Sequence, residues 1–272
     1  MNIIGLMFNK NEGDILAEII TSAMNHVDIL YFADDGSVDN SWDIATTALR
    51  YYNDRIVIQR EPNKADPGQR QSLLDKIRSR HNPADSWVQI IESDIKILDT
   101  NVKEAIKGFA VNDIAVTWQL LNAVRAPSTW KEVDTYPVWD KNIREIMPLA
   151  HRIECMVYSF RPLPKLHYNP GIWRPWPSGF SHYSKTPVDI DRREPDSPLL
   201  AHYGFRGPKH FYKKYGKMGR WHKRYSTWNL TSIETIEATV PYFNGQWTKG
   251  AYSMGREGWV NWLEGKKRAR NG

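Results

Sequence analysis

The 272-residue chain is predicted to adopt an α/β fold: a mainly parallel, mixed sheet flanked by helices, followed by an irregular, aromatic and basic C-terminal lobe. Three observations predict it. Strand and helix signals alternate through about residue 118, which calls for parallel strands covered on both faces. Two apolar runs about sixty residues apart, Ile29-Leu30-Tyr31-Phe32-Ala33 and Trp87-Val88-Gln89-Ile90-Ile91, end in the acidic segments Asp34-Asp35-Gly36-Ser37 and Glu92-Ser93-Asp94. After about residue 120 the periodicity gives way to Pro, Trp and Tyr.

The elements follow in order. An apolar strand at 2–8 leads to Asn11-Glu12-Gly13-Asp14, where Asp14 or Asn11 caps a helix with Ile15, Leu16, Ile19, Ile20 and Ala23 at helical spacing. A strand at 28–33 precedes Asp39-Asn40-Ser41, a cap for a helix through about 51. A short strand at 55–59 follows, and Pro67 opens a helix carrying Leu73, Leu74 and Ile77. A strand at 86–91, a helix at about 101–110 and a strand at about 113–118 complete the alternation. The stretch 161–198, with Arg161-Pro162-Leu163-Pro164 and Trp173-Arg174-Pro175-Trp176-Pro177, reads as long binding loops. Helix resumes at about 207–217 and 256–265. The expected organisation is an α/β half at 1–120, loops closing on the site at 121–202 and a basic aromatic helical lobe at 203–272.

No apolar stretch approaches the roughly 20 residues that span a bilayer, and the N-terminus lacks a basic, cleavable leader, so a cytoplasmic protein is expected. A single cysteine, Cys155 in the apolar context Ile153-Glu154-Cys155-Met156-Val157, excludes an intramolecular disulfide and reads as a packed thiol. Charge is uneven. Residues 203–272 hold 14 Lys and Arg against 4 Asp and Glu, while the preceding 202 residues hold 23 against 27. Such asymmetry points to an anionic partner.

Ligands of open α/β sheets collect at the carboxyl ends of the strands, and carboxylates there suit a hard divalent cation held against a phosphate. A nucleoside diphosphate leaves readily only when its developing charge is neutralised, which Mg²⁺ or Mn²⁺ does as a Lewis acid. Asp34 or Asp35 would accept hydrogen bonds from uracil N3–H or ribose hydroxyls, Arg70 would approach the phosphates or the sugar, and Lys64 is a further helper.

The opening strand with Asn9-Lys10-Asn11-Glu12, the segment Asp34-Asp35-Gly36-Ser37-Val38-Asp39-Asn40-Ser41 and the later Glu92-Ser93-Asp94 resemble, in order and spacing, the family 2 glycosyltransferases of the Rossmann-like GT-A fold. The resemblance covers about residues 1–118. It implies nucleotide-sugar contacts from Asn9, Asn11, Glu12, Asp34, Asp35, Ser37 and Ser93, with UDP-sugar favoured by family frequency. It also implies a metal ligand at Asp94. The family's triplet is usually Asp-x-Asp; Glu92 departs from it and is assigned a contact to ribose or a metal-bound water. Leu199-Leu200-Ala201-His202-Tyr203-Gly204-Phe205-Arg206 looks like the segment that closes the donor site in some relatives, making His202 a second candidate metal ligand.

Inverting displacement at the anomeric carbon needs a carboxylate base, for which Asp140 beside Trp139, Asp134 and Glu154 are available. Trp139, Trp173 and Trp176 would stack on an acceptor sugar or base. Residues 205–225 interleave Arg206, Lys209, Lys213, Lys214, Lys217, Arg220, Lys223 and Arg224 with six aromatic rings and contain no acid. Alternating cations and rings suit nucleic acid, so a hydroxymethylated base in DNA is an expected acceptor, as for some phage enzymes. A cell-surface glycan or lipid-linked acceptor is the alternative within the same activity. Outside it stand a non-catalytic nucleic-acid-binding protein and a nucleotidyltransferase, the latter without the Gly-rich phosphate loop expected near its N-terminus.

Overall fold

The computed structural model describes residues 1–62, 65–98, 102–107, 115–124, 149–170, 177–178 and 199–205. The chain divides into two compact units, Met1–Leu120 with Glu154–Leu200 and Leu121–Ile153 with Ala201–Gly272. The elements are β1 (Asn2–Asn9), α1 (Leu16–Met24), β2 (Ile29–Asp34), α2 (Ser41–Tyr52), a single 3₁₀ turn (Asn53–Arg55), β3 (Ile56–Arg60), α3 (Ala65–Arg80), β4 (Ser86–Glu92), β5 (Ile95–Leu98), α4 (Val102–Lys107), β6 (Ala115–Val124), β7 (Leu149–Phe160) and β8 (Leu199–Phe205).

The first unit is built on a mixed sheet in which β3, β2, β1, β4 and β7 lie side by side in that order. Its β3, β2, β1 and β4 are mutually parallel, and β7 lies antiparallel to β4. The predicted fold class therefore holds. Ile4, Leu6 and Met7 of β1, Leu30 and Phe32 of β2, and Val88 and Ile90 of β4 are fully buried. At about 1.5–3 kcal/mol for each such side chain, a register slip would be prohibitive. Ile19, Ile20 and Ala23 of α1 and Leu73, Leu74 and Ile77 of α3 bury the apolar positions that their spacing marks out.

The start of α1 differs from the reading of its cap, whereas that of α2 follows it. Neither Asn11 nor Asp14 caps α1: Ile15 occupies the cap position without a side-chain bond, and the Glu12 carbonyl accepts from Ile15 and Leu16 N–H at 3.0 and 2.9 Å. Asn11 instead adopts the left-handed conformation, φ 57°, and its Oδ1 accepts from Val38 N–H at 2.8 Å. At α2 the cap comes from Asp39, whose Oδ1 accepts from Ser41 N–H at 3.0 Å. The α3 helix begins two residues before Pro67, as suits a residue preorganised for the first turn.

Three strands beyond the expected set are present, β5, β7 and β8. A buried polar chain ties β6, β7 and β4: Trp118 Nε1–H donates to Ser159 Oγ at 2.8 Å, and Ser159 Oγ–H donates to Gln89 Oε1 at 2.5 Å. The opening of the 161–198 stretch is strapped to α3 rather than free. Arg78 donates to the carbonyls of Pro162, Leu163 and Leu166, and Tyr168 N–H donates to Gln71 Oε1 at 2.8 Å. The helices expected at 207–217 and 256–265 lie outside the described residues.

Candidate active site

Because β1, β2, β3 and β4 run parallel, their carboxyl ends share one edge of the sheet. Asn9, Asp34, Arg60 and Glu92 are the last residues of these strands. Asn9 is in register with Asp34, Asp34 with Arg60, and Phe8 with Glu92. The loops that follow carry Asp35, Gly36 and Ser37 after β2, and Ser93 and Asp94 after β4.

Asp34 is fully buried and serves the protein. Its Oδ1 accepts from Asn9 Nδ2 at 2.9 Å and from Ser37 Oγ–H at 2.5 Å, its Oδ2 accepts from Ser37 N–H at 2.9 Å, and Arg60 Nε lies 3.3 Å from Oδ2. Arg60 Nη2 also donates to the Ser37 carbonyl at 2.8 Å, and its guanidinium sits 5.4 Å from the centre of the Trp42 ring. Charge-assisted bonds of this kind hold the loop in one shape. The turn requires Gly36, whose φ is +68° and where a Cβ would lie 2.7 Å from Pro62 Cβ. Ser37 Oγ also accepts from Asn9 Nδ2 at 3.1 Å and Asn11 N–H at 2.9 Å, so Asn9, Asn11, Asp34 and Ser37 form one knot. Asp39 Oδ2 extends it by accepting from Gly13 N–H at 3.1 Å.

Asp35, the next residue, is different. Its backbone N–H is fixed by the Asn9 carbonyl at 3.0 Å and its Oδ2 pairs with Lys10 Nζ at 2.5 Å, yet its buried Oδ1 has no partner among the described residues. A buried carboxylate oxygen without a donor is costly unless something outside the protein supplies one. Asn9 Oδ1 is likewise buried without a partner.

On the other side of β1, Arg70 of α3 is 2% exposed; its Nη2 donates to Glu92 Oε1 at 2.9 Å, and its guanidinium lies 5.4 Å from the centre of the Phe8 ring. Glu12, Ser93 and Asp94 are buried. Among the described residues no three His, Cys, Asp or Glu side chains are grouped to hold a metal. Mg²⁺-type sites commonly use one or two carboxylates and complete their shell with substrate phosphates and water, and Asp94 fits that mode. His202 is half-buried on β8 and belongs to the second unit, whereas Asp94 belongs to the first. Lys64, Asp134, Trp139, Asp140, Trp173, Trp176, Arg206, Lys213 and Lys214 lie outside the described residues, as does the Glu154 side chain.

The family model for glycosyl transferase family 2 matches residues 6–160, more than half of the chain. The chain belongs to glycosyl transferase family 2. No curated protein matches it. Among solved structures it is similar to S. aureus TarS 1–349, at 18% identity and TM-score 0.33, covering 46% of this chain and 36% of that one. It is also similar to TarS 1–349 in complex with UDP-GlcNAc, at 16% identity and TM-score 0.33 over 46% and 35%. The mannosyltransferase PcManGT from Pyrobaculum calidifontis, in complex with GDP-Man and Mn²⁺, shares 14% identity at TM-score 0.34 over 48% and 37%. This chain thus spans little more than a third of the length of those chains.

Sequence reasoning about this family 2 domain overlooked Lys10, Arg60 and Asp39. Lys10 stands inside the quoted opening motif, and a basic residue ending β3 beside a strand that ends in Asp34 was a legible signal for Arg60. For Asp39 the signal was its place two residues before a helix start. Beyond the cap it offers α2, Asp39 also bonds Gly13 N–H.

Proposed function

We propose that this family 2 domain transfers a sugar from a nucleoside-diphosphate sugar to an acceptor hydroxyl, with the nucleotide seated at the carboxyl edge of β1, β2 and β4. The observation that carries the reading is Asp35 Oδ1, a buried acceptor without a partner among the described residues, at the strand end where nucleotide ligands of such sheets bind. An imide or amino N–H of the base, uracil first, would satisfy it, with Lys10 retaining the other oxygen. The Asn9–Asp34–Ser37 knot presets the loop, so little ordering accompanies binding. Arg70 faces the diphosphate.

Asp94, with His202 as the second candidate, would hold Mn²⁺ or Mg²⁺, which when bound supplies Lewis-acid neutralisation of the departing diphosphate. Asp140, or Asp134, takes the proton from the acceptor hydroxyl as the glycosidic bond forms, in an inverting displacement. Trp139, Trp173 and Trp176 flank the acceptor. For the acceptor itself the favoured reading is a hydroxymethylated base in DNA, supported by the acid-free alternation of bases and rings at 205–225, with Arg206, Lys213 and Lys214 at phosphates. A cell-surface glycan or lipid-linked acceptor is the second reading, supported by the same residues as a basic amphipathic surface.

Incubation of UDP- and GDP-sugars with Mn²⁺ and either hydroxymethylated DNA or glycan acceptors tests this directly. Release of nucleoside diphosphate that depends on the DNA, and weakens steeply with salt, is expected. Salt-sensitive DNA binding with no release from any donor would replace the reading with a non-catalytic binding protein, and release of pyrophosphate would replace it with nucleotidyl transfer.

A further inference from the structure

Lys10 stands between two anchored residues. Asn9 before it donates through Nδ2 to Asp34 Oδ1 at 2.9 Å and to Ser37 Oγ at 3.1 Å. Asn11 after it, in the left-handed conformation, donates its N–H to Ser37 Oγ at 2.9 Å and accepts Val38 N–H on Oδ1 at 2.8 Å. The Lys10 backbone is therefore pinned on both sides. Its side chain is 48% exposed, yet Nζ reaches Oδ2 of Asp35, which is 5% exposed, at 2.5 Å. Asp35 is itself fixed through its N–H by the Asn9 carbonyl at 3.0 Å. An exposed lysine ordinarily gains little from an ion pair, because solvent screens the charges and a flexible stem must be ordered. Here the backbone is restrained and the partner is buried. The result is an asymmetric carboxylate: Oδ2 faces an ammonium, whereas Oδ1 is buried with no partner among the described residues.

We propose that Lys10 determines which nucleobase the site accepts, by making Asp35 a single-acceptor site that suits uracil and turns away guanine. The inference rests on the nucleotide-sugar reading given above. The imide edge of uracil carries one N–H between two carbonyls. Its N–H fits Oδ1 and a flanking carbonyl faces the ammonium, so donor meets acceptor at both positions. Guanine sets two donors side by side, N1–H and the amino group, and a carboxylate with both oxygens open would take both. With Lys10 in place the amino group is left over in either orientation. Turned toward Oδ2 it meets a cation, donor against donor; turned away it has lost the second carboxylate oxygen. A buried donor without an acceptor costs more than a contact that is merely missing, so the wrong base is rejected and not just bound less well.

The test is calorimetric titration of UDP and GDP, each with Mn²⁺, into the wild-type chain, Lys10→Met and Lys10→Arg, with melting curves to check that this half-exposed position tolerates both changes. The wild type is expected to bind UDP about tenfold or more tightly than GDP. Lys10→Met keeps the stem and removes the charge. It should bind UDP more weakly and GDP more tightly than the wild type does, so that the ratio falls below about threefold. Lys10→Arg, which keeps a cation and its donors, should keep UDP ahead. A Lys10→Met chain with the wild-type ratio, or a Lys10→Arg chain without it, would overturn the proposal. Loss of both nucleotides in a folded Lys10→Met would overturn it too, since Lys10 would then hold the diphosphate and not choose the base. So would a wild type that binds GDP as tightly as UDP or more tightly, with Asn9 Oδ1, the other buried acceptor without a partner, taking the amino group. A wild type that binds neither nucleotide would remove the nucleotide-sugar reading itself, and this inference with it.

Discussion

The two edges of the parallel strands use their charged groups for different purposes. At the amino edge, Asp28 Oδ2 accepts from Ile3 N–H at 2.8 Å and its carboxylate pairs with Lys103 at 3.1 Å, while Arg55 donates to the carbonyls of Met24, Val27 and Asp28 at the end of α1. At the carboxyl edge, Asp34 is saturated by the protein, but Asp35 Oδ1 and Asn9 Oδ1 are buried and unmatched. The amino edge does have its own unmatched atom, Ser86 Oγ, a neutral hydroxyl whose burial costs less than that of a carboxylate. Charge paired inside the protein contributes to stability. On the proposed reading, the unmatched acceptors at the carboxyl edge are where a nucleotide completes the structure.

The contrast can be broken most severely at Asp94. Asp94→Ala is expected to lower transfer by more than about 100-fold while the melting temperature stays near wild type, measured as nucleoside diphosphate release at saturating Mn²⁺. Next, Asp34→Ala should cost about 2–3 kcal/mol of stability in urea unfolding, since it strips partners from Asn9, Ser37 and Arg60 together. At the amino edge, Arg55→Ala should cost about 1–2 kcal/mol by orphaning the carbonyls at the end of α1, with nucleotide affinity unchanged.

The smallest effect expected is a pH dependence. Burial lowers the His26 imidazole below its ordinary value, and burial, followed by the charge of Arg80, lowers that of His81, whose ring meets Tyr31 Oη at 3.0 Å. Each binds a proton less readily in the folded chain, so the unfolded chain takes up more protons in the window just below the ordinary histidine pKa. Stability should therefore be full above about pH 6.5 and fall as the solution is acidified through that value. Melting curves between pH 5 and 7.5 should show this, with a shallower slope for His81→Gln.

Much of the fold to residue 94 was legible because β1, β2 and β4 are buried on both faces and read as continuous apolar runs, while α1 and α3 keep helical spacing. β7 was not, since His151, Arg152 and Glu154 interrupt its apolar pattern and its place depends on antiparallel pairing with β4, a long-range contact. The α1 cap misled for a related reason: Asn11 is committed to Val38 N–H, a tertiary contact that wins over local capping. At the candidate site, the acidic segments announced themselves by type and position. Which of Asp34 and Asp35 faces a ligand did not, because adjacent identical side chains differ only through partners brought by β1 and β3. Glu92's pairing with Arg70 was hidden in the same way, by a helix 22 positions earlier in the chain.

The central claim is that the carboxyl edge is a nucleotide site and the amino edge is not. Calorimetric titration of UDP and GDP with Mn²⁺ into wild type, Asp35→Asn and Arg55→Ala tests it most directly. One nucleotide should bind the wild type and Arg55→Ala alike and bind Asp35→Asn about tenfold or more weakly, as loss of a hydrogen bond to a charged acceptor implies. Equal affinity for wild type and Asp35→Asn, or no binding of either nucleotide to the wild type, would contradict the account.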